Sequence, residues 1–115
     1  MGIYKERGKI MSLVINKRYD ESNKVWDVEL IGEVDIYTAT DLKSEFTKML
    51  DEKKESIKLN AEKLEYIDST GLGVLIGVLK KLKEGEKDII ILNIRPSIKK
   101  LLHITGLDKI FVIEG

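Results

Sequence analysis

The stretch Tyr66-Ile67-Asp68-Ser69-Thr70-Gly71-Leu72-Gly73 places three short polar side chains, Asp68 to Thr70, between two apolar segments. Ahead of it, Ile57, Leu59, Leu64 and Ile67 read as a strand and a buried approach. Behind it, Leu72, Val74, Leu75, Ile76, Val78, Leu79 and Leu82 recur at helical spacing. Serine and threonine at such a junction are favoured helix N-caps, because the hydroxyl accepts a hydrogen bond from an unpaired N–H of the first turn. Taken alone, the stretch favours Ser69 as the cap of the helix that follows.

Projected at about 100° per residue, the apolar side chains of that helix cover a broad arc. The remaining stripe holds Thr70, Gly73, Gly77, Lys80, Lys81 and Glu84. Its first two turns are nearly bare. Glycine inside a helix costs up to ~1 kcal/mol relative to alanine. Two glycines four apart on one face therefore need a reason, either close packing within the protein or a flat surface for a partner. The stripe lies opposite the apolar arc, which favours docking.

Outward from this centre the chain alternates strands and helices. Leu13 to Tyr19 and Val25 to Ile31 form a predicted hairpin across the turn Asp20-Glu21-Ser22-Asn23, with Trp26, Val28 and Leu30 on one face of the second strand. Gly32 to Tyr37 ends that strand and leads into a helix. Thr38 and Asp41 make a weak capping box there, and Ala39, Leu42, Phe46, Met49 and Leu50 form the buried face to about Glu52. Ser56 to Asn60 is a third strand. The central helix ends near Glu84-Gly85, where Gly85 suits a left-handed cap. Ile89-Ile90-Ile91-Leu92 is a continuous apolar run, as in a parallel strand covered on both faces. Pro96 opens a last helix, whose Ile98, Leu101, Leu102 and Thr105 face the core and which Gly106 stops, and Ile110 to Ile113 closes the chain as a strand. The expected fold is α/β, a mixed sheet packed by helices in the order β-β-α-β-α-β-α-β. Residues 1–11, polar and irregular at the start, are expected to be an extension to a single domain spanning 12–115.

The chain has 115 residues, enough for one core. Lys plus Arg and Asp plus Glu are both 20, so a dedicated nucleic-acid binder, which would carry a basic excess, is not expected. Cysteine is absent, which excludes disulfides and thiolate chemistry. No apolar run approaches the ~20 residues of a membrane helix and no signal peptide is visible, so a cytoplasmic protein with no membrane partner is expected.

Catalytic equipment is sparse. Ser69 lacks the Gly-x-Ser-x-Gly elbow, and the one histidine, His103, reads as a surface or half-buried helix residue. There is no phosphate loop with a lysine. Asp35 and Asp68 both follow strands. They are candidates for metal or phosphoryl-accepting carboxylates, or more simply loop and cap residues that also accept hydrogen bonds from partner cations. A receiver domain phosphorylated on Asp68 would need acidic residues at the end of the first strand, where the chain has Asn16-Lys17-Arg18. Neither a metal nor a cofactor is expected, and the chain is not expected to be an enzyme.

Two segments together, Gly32-Glu33-Val34-Asp35-Ile36-Tyr37-Thr38-Ala39 and Tyr66-Ile67-Asp68-Ser69-Thr70-Gly71-Leu72-Gly73, resemble the signature stretches of bacterial anti-sigma factor antagonists, the STAS domain family. The resemblance spans about Ser12 to Ile113. It implies a protein that binds an anti-sigma factor which is also an ATP-dependent serine kinase, and so frees a sigma factor. Phosphorylation of the serine after the motif aspartate, here Ser69, releases the antagonist, and a serine phosphatase resets it. Asp35, on this resemblance, meets a cation on the partner, and Tyr37, Asp68, Thr70, Gly71, Gly73 and Gly77 share the binding face. The free protein is expected to be a monomer. The chain departs from the commoner pattern at Thr40, where proline is frequent. The other function considered is a STAS-type structural or regulatory subunit of a transport complex that never meets a kinase.

Overall fold

The computed structural model describes residues 3–6 and 9–115, with side chains from Ser12 onward. The strands are β1 (Ile3–Glu6), β2 (Lys9–Asp20), β3 (Val25–Val34), β4 (Ser56–Asn60), β5 (Leu64–Ile67), β6 (Ile89–Leu92) and β7 (Val112–Glu114). The helices are α1 (Ala39–Glu52), α2 (Ser69–Lys83) and α3 (Pro96–Thr105), with a single 3-10 turn at Leu107–Lys109. One mixed sheet runs β1-β2-β3-β4-β6-β7, and β5 also pairs with β3. The α/β class and the mixed sheet with three helices agree with the sequence reading. Among the described residues no helix is long and apolar enough to cross a membrane.

The antiparallel β2–β3 hairpin turns on Asp20, whose Oδ1 accepts the backbone N–H groups of Ser22 and Asn23 at 3.0 and 3.1 Å. Its Oδ2 accepts the Asn23 side-chain amide at 2.8 Å. These bonds, the Asn23 side chain foremost, hold the Asp20 carboxyl below the usual carboxylate range. From β3 onward every sheet pairing is parallel, and the crossovers β3-α1-β4, β5-α2-β6 and β6-α3-β7 all step the same way across the sheet. Right-handed crossovers in one direction put all their helices on one face. Alternate residues are accordingly buried: Trp26, Val28, Leu30, Ile57, Leu59, Ile89 and Ile91 meet Leu42, Phe46 and Met49 of α1 and Leu75, Leu79 and Leu82 of α2 in one core. Trp26 adds a polar tie, its Nε1 donating to the Lys53 carbonyl at 2.8 Å.

That same-handed stepping corrects the expectation for Ile89–Leu92. Ile89 and Ile91 lie under the helices, but Ile90 and Leu92 are only half-buried, because they belong to the helix-free face. There the register lines up Arg18, Asp27, Lys58, Ile90 and Val112. The polar half of the row is held by Arg18 Nη2 donating to Asp27 Oδ2 at 3.2 Å.

Several other boundaries differ. Residues Ile3–Glu6 pair antiparallel with an earlier start of β2, where irregular chain was expected. Leu64–Ile67 is a strand in its own right, not only a buried approach. Gly32 does not end β3. It sits at φ +110° where the register with β5 shifts, and the strand continues to Val34. At the end of α2 the left-handed residue is Glu86 (φ 59°), not Gly85, because the turn closes one residue later with Lys87 N–H donating to Leu82 O at 2.9 Å. Thr105 is exposed, its hydroxyl donating to the Leu101 carbonyl at 2.9 Å. The last strand starts at Val112, two residues late, because the 3-10 turn occupies the chain before it.

β3 has different parallel partners along its length. Val25–Glu29 pairs with β4, and Gly32–Val34 pairs with β5. The short connection between them is fixed by Gly32 N–H donating to Lys63 O at 3.0 Å. β3 and β5 thus end side by side, with Asp68 N–H donating to Val34 O at 3.1 Å. The segments that leave them, Asp35–Thr38 and Asp68–Thr70, emerge together at one edge.

Gly32 is where this arrangement is most exposed to substitution. A Cβ there would lie 2.2 Å from the Ser12 carbonyl oxygen and would need the left-handed backbone region. Gly32→Ala is expected to lose about 2–3 kcal/mol, seen as a melting temperature lower by roughly 10 °C.

Candidate functional site

The cap of α2 is Asp68, not Ser69. Asp68 has extended backbone (φ −103°, ψ −174°) and its Oδ1 accepts the Gly71 N–H at 3.0 Å. Aspartate and serine cap about equally well, but a carboxylate also gains from the positive end of the helix dipole. Ser69 becomes the first helical residue. Its side chain is exposed and its hydroxyl has no hydrogen-bond partner among the described residues.

The three glycines of α2 divide into two kinds. Gly71 is buried, and a Cβ there would lie 2.5 Å from Val34 Cγ1 and 2.8 Å from Ile67 Cγ1. It faces inward and lets the first turn of α2 rest directly on β3 and β5. Gly73 and Gly77 are exposed, and a Cβ on either would meet nothing within 4 Å. Internal packing therefore does not account for these two. Thr70, Lys80, Lys81 and Glu84 complete the exposed stripe. Between this helix and α1 runs an open groove of about 500 Å³, with Thr70, Gly73, Gly77 and Lys81 on one side and Ala39, Thr40, Lys43 and Thr47 on the other.

The neighbouring loop is built on Asp35 and Thr38, both buried. Asp35 Oδ1 accepts the N–H groups of Tyr37 and Thr38 at 2.9 and 3.0 Å. Thr38 Oγ1 accepts the Asp35 N–H at 2.9 Å and donates to the Glu33 carbonyl at 2.9 Å. The expected Thr38–Asp41 capping box is not formed, because the Thr38 hydroxyl is already engaged inside the loop. Asp35 Oδ2 is buried with no hydrogen-bond partner. The tight loop turns Ile36 and Tyr37 outward, 65% and 58% exposed, and Tyr66 on β5 is 47% exposed.

The site thus brings Asp35, Tyr37, Asp68, Ser69, Thr70, Gly73 and Gly77 to one side of the molecule and turns Gly71 inward. Ile36 and Tyr66 were not singled out from the sequence. The available signal was an aliphatic and an aromatic residue flanking the two polar segments, where neither strand nor helix spacing requires burial. His103 lies on α3 with Nδ1 2.9 Å from Asp108 Oδ2, so it is not paired with Ser69. Among the described residues no group of three or more His, Cys, Asp or Glu could hold a metal ion.

The open glycine and the capping aspartate predict substitutions of opposite effect. Gly77→Ala is expected to raise stability by about 0.5–1 kcal/mol, because alanine is the better helix former and the space is open. Asp68→Ala removes the cap and is expected to lower it by about 1 kcal/mol. Urea denaturation of both variants with unchanged m-values would test this pair.

Comparison with known proteins identifies the family. The STAS domain family matches residues 16–114. The anti-sigma-B factor antagonist of Staphylococcus aureus (strain NCTC 8325 / PS 47) is 37% identical over 102 residues, covering 88% of this chain and 94% of that protein. The crystal structure of an anti-sigma factor antagonist from Mycobacterium paratuberculosis superposes with a TM-score of 0.77 at 24% identity, covering 89% of this chain and 85% of that one. The phosphorylated form of the Bacillus cell fate determinant SpoIIAA superposes at 0.68 and 20% identity, covering 89% and 92%. The chain therefore belongs to the STAS-domain family of anti-sigma factor antagonists, regulators that act by binding and not by catalysis.

Proposed function

We propose that this antagonist binds an anti-sigma factor that is also a serine kinase, frees the sigma factor, and is switched off when that kinase phosphorylates Ser69. ATP is consumed by the kinase, and a serine phosphatase restores the hydroxyl. The names of the relatives make a sigma-B-type anti-sigma factor the first partner to test. On this reading residues 12–115 carry the binding function in the cytoplasm, the added pairing of Ile3–Glu6 with the start of β2 is not needed for it, and the free chain is a monomer.

One observation carries the reading. The Ser69 hydroxyl is exposed and unengaged at the head of a helix whose outward stripe is bare at Gly73 and Gly77. A kinase can reach it, and no structural bond is lost when it is esterified. A phosphate adds about −1.5 to −2 charges at pH 7. At a helix N-terminus such an anion meets free N–H groups and the positive end of the dipole, so the monomer tolerates it. An interface does not tolerate it, since charge and bulk appear where a partner must approach closely, beside the Asp68 carboxylate.

The outward Ile36, Tyr37 and Tyr66 flank the serine and supply apolar contact area of the kind that anchors interfaces. Asp35 shapes their loop. Its unpartnered Oδ2 is an acceptor that a partner cation satisfies once the loop adjusts, which removes a cost of about 1–3 kcal/mol borne by the free chain.

Incubation with the candidate kinase and ATP is expected to add one phosphate by mass spectrometry, absent in Ser69→Ala. A hydroxylamine-labile phosphate would place the modification on Asp68 instead. By calorimetry, Ser69→Asp is expected to lose about 3 kcal/mol, more than a hundredfold in affinity for the anti-sigma factor, with the fold intact. Unchanged binding would count against the switch. Gly73→Lys should impair the same binding while its melting temperature stays within a few degrees of wild type.

A further inference from the structure

α2 has a second flank. Opposite the α1 side, its residues Ile76, Leu79, Lys80 and Lys83 form a groove of about 440 Å³ with Lys109 and Ile110 at the end of the 3-10 turn. The floor is apolar. Leu79 is buried, Ile76 is half-buried, and Ile110 is 41% exposed. The rim is cationic, with three lysines and no carboxylate among the lining residues, in a chain whose charges balance overall. Asp88 holds Lys83 at 2.6 Å, whereas Lys80 and Lys109 form no ion pair among the described residues.

We propose that this groove is a second docking surface, which seats an amphipathic helix of a partner protein with acidic residues on both sides of an apolar ridge. The apolar floor takes the ridge, and Lys80 and Lys109 take the flanking carboxylates. A bilayer is the poorer fit, because a lipid surface needs protruding apolar side chains and Leu79 is recessed at 4% exposure.

The groove stands apart from Ser69. Lys80 follows Ser69 by eleven residues, which is about 16 Å along the helix axis. That exceeds the Debye length of about 8 Å at physiological salt, so the charge state of Ser69 is largely screened there. The surface therefore serves a partner that holds the chain in either state.

The probe is a fluorescein-labelled amphipathic helical peptide of about four turns, with leucines along one face and glutamates flanking them. Anisotropy is expected to show saturable binding that weakens with salt and is equal for wild type and Ser69→Asp. Lys80→Glu/Lys109→Glu is expected to bind at least about tenfold more weakly, as is Ile110→Asn, each melting within a few degrees of wild type. The same peptide with lysines replacing the glutamates should bind no better than the double variant does. Absence of binding, insensitivity to these variants, or dependence on the state of Ser69 would overturn the proposal. So would lysine-dependent sedimentation with phosphatidylserine vesicles in place of peptide binding. The kinase experiment on Ser69 reads out separately, so either idea can fail alone.

Discussion

The site depends on the seating of α2 on the ends of β3 and β5. Parallel pairing brings Val34 and Ile67 level, and the backbone bond from Asp68 N–H to Val34 O fixes the point where the chain leaves the sheet. Gly71 then allows close approach, since any side chain there would collide with the same two residues. A helix lifted or tilted at its first turn would carry Ser69 away from the Asp35 loop. The exposed serine is therefore positioned by one of the most buried contacts near it.

On the proposed function, capping and switching fall to adjacent residues, Asp68 and Ser69. Had Ser69 been the cap, phosphorylating it would have disturbed the N–H bond that starts the helix. With Asp68 in that role, the hydroxyl one position on has no structural duty. The same logic holds in the neighbouring loop, where the buried Asp35–Thr38 network fixes the backbone and leaves Ile36 and Tyr37 outside. In each segment a polar residue bonded within its own turn presents a neighbour to solvent.

Much of this was legible in the sequence because two periodicities are strong. The helical spacing through Leu72, Leu75, Leu79 and Leu82 marks the buried face of α2, and the alternation of Trp26, Val28 and Leu30 marks the core strand. Features that depend on tertiary pairing were less legible. Leu64–Ile67 is too short to show alternation, and it is a strand only because β3 runs past β4. Gly32 has the local signature of a strand end, and only the pairing with β5, where the register shifts, shows the strand continuing past it. Ser69 and Asp68 are both good caps, and local preference does not choose between them. Gly85 suits a left-handed turn, yet the position of Lys87 puts that conformation on Glu86. The apolar run of β6 suggests burial on both faces, but whether a second face is covered depends on the direction of the crossovers, which no local pattern encodes.

The energetics of α2 separate folding from recognition. Its buried arc, with Leu72, Leu75, Val78, Leu79 and Leu82, provides the packing, while the outward crest at Gly73 and Gly77 provides none. Two interior glycines together cost about 1–2 kcal/mol in helix stability. For a chain of this length the whole folding free energy is of the order of 6–17 kcal/mol, so that cost is a sizeable fraction. Alanine at both positions would fit without a clash, so the monomer gains nothing from the glycines. In the proposed complex, a partner would gain a surface on which its own backbone can come close, where a single added phosphate would be felt at short range. On the proposed function, the bareness that weakens the helix is also what would let a modification of its first residue act on the complex and leave the fold alone.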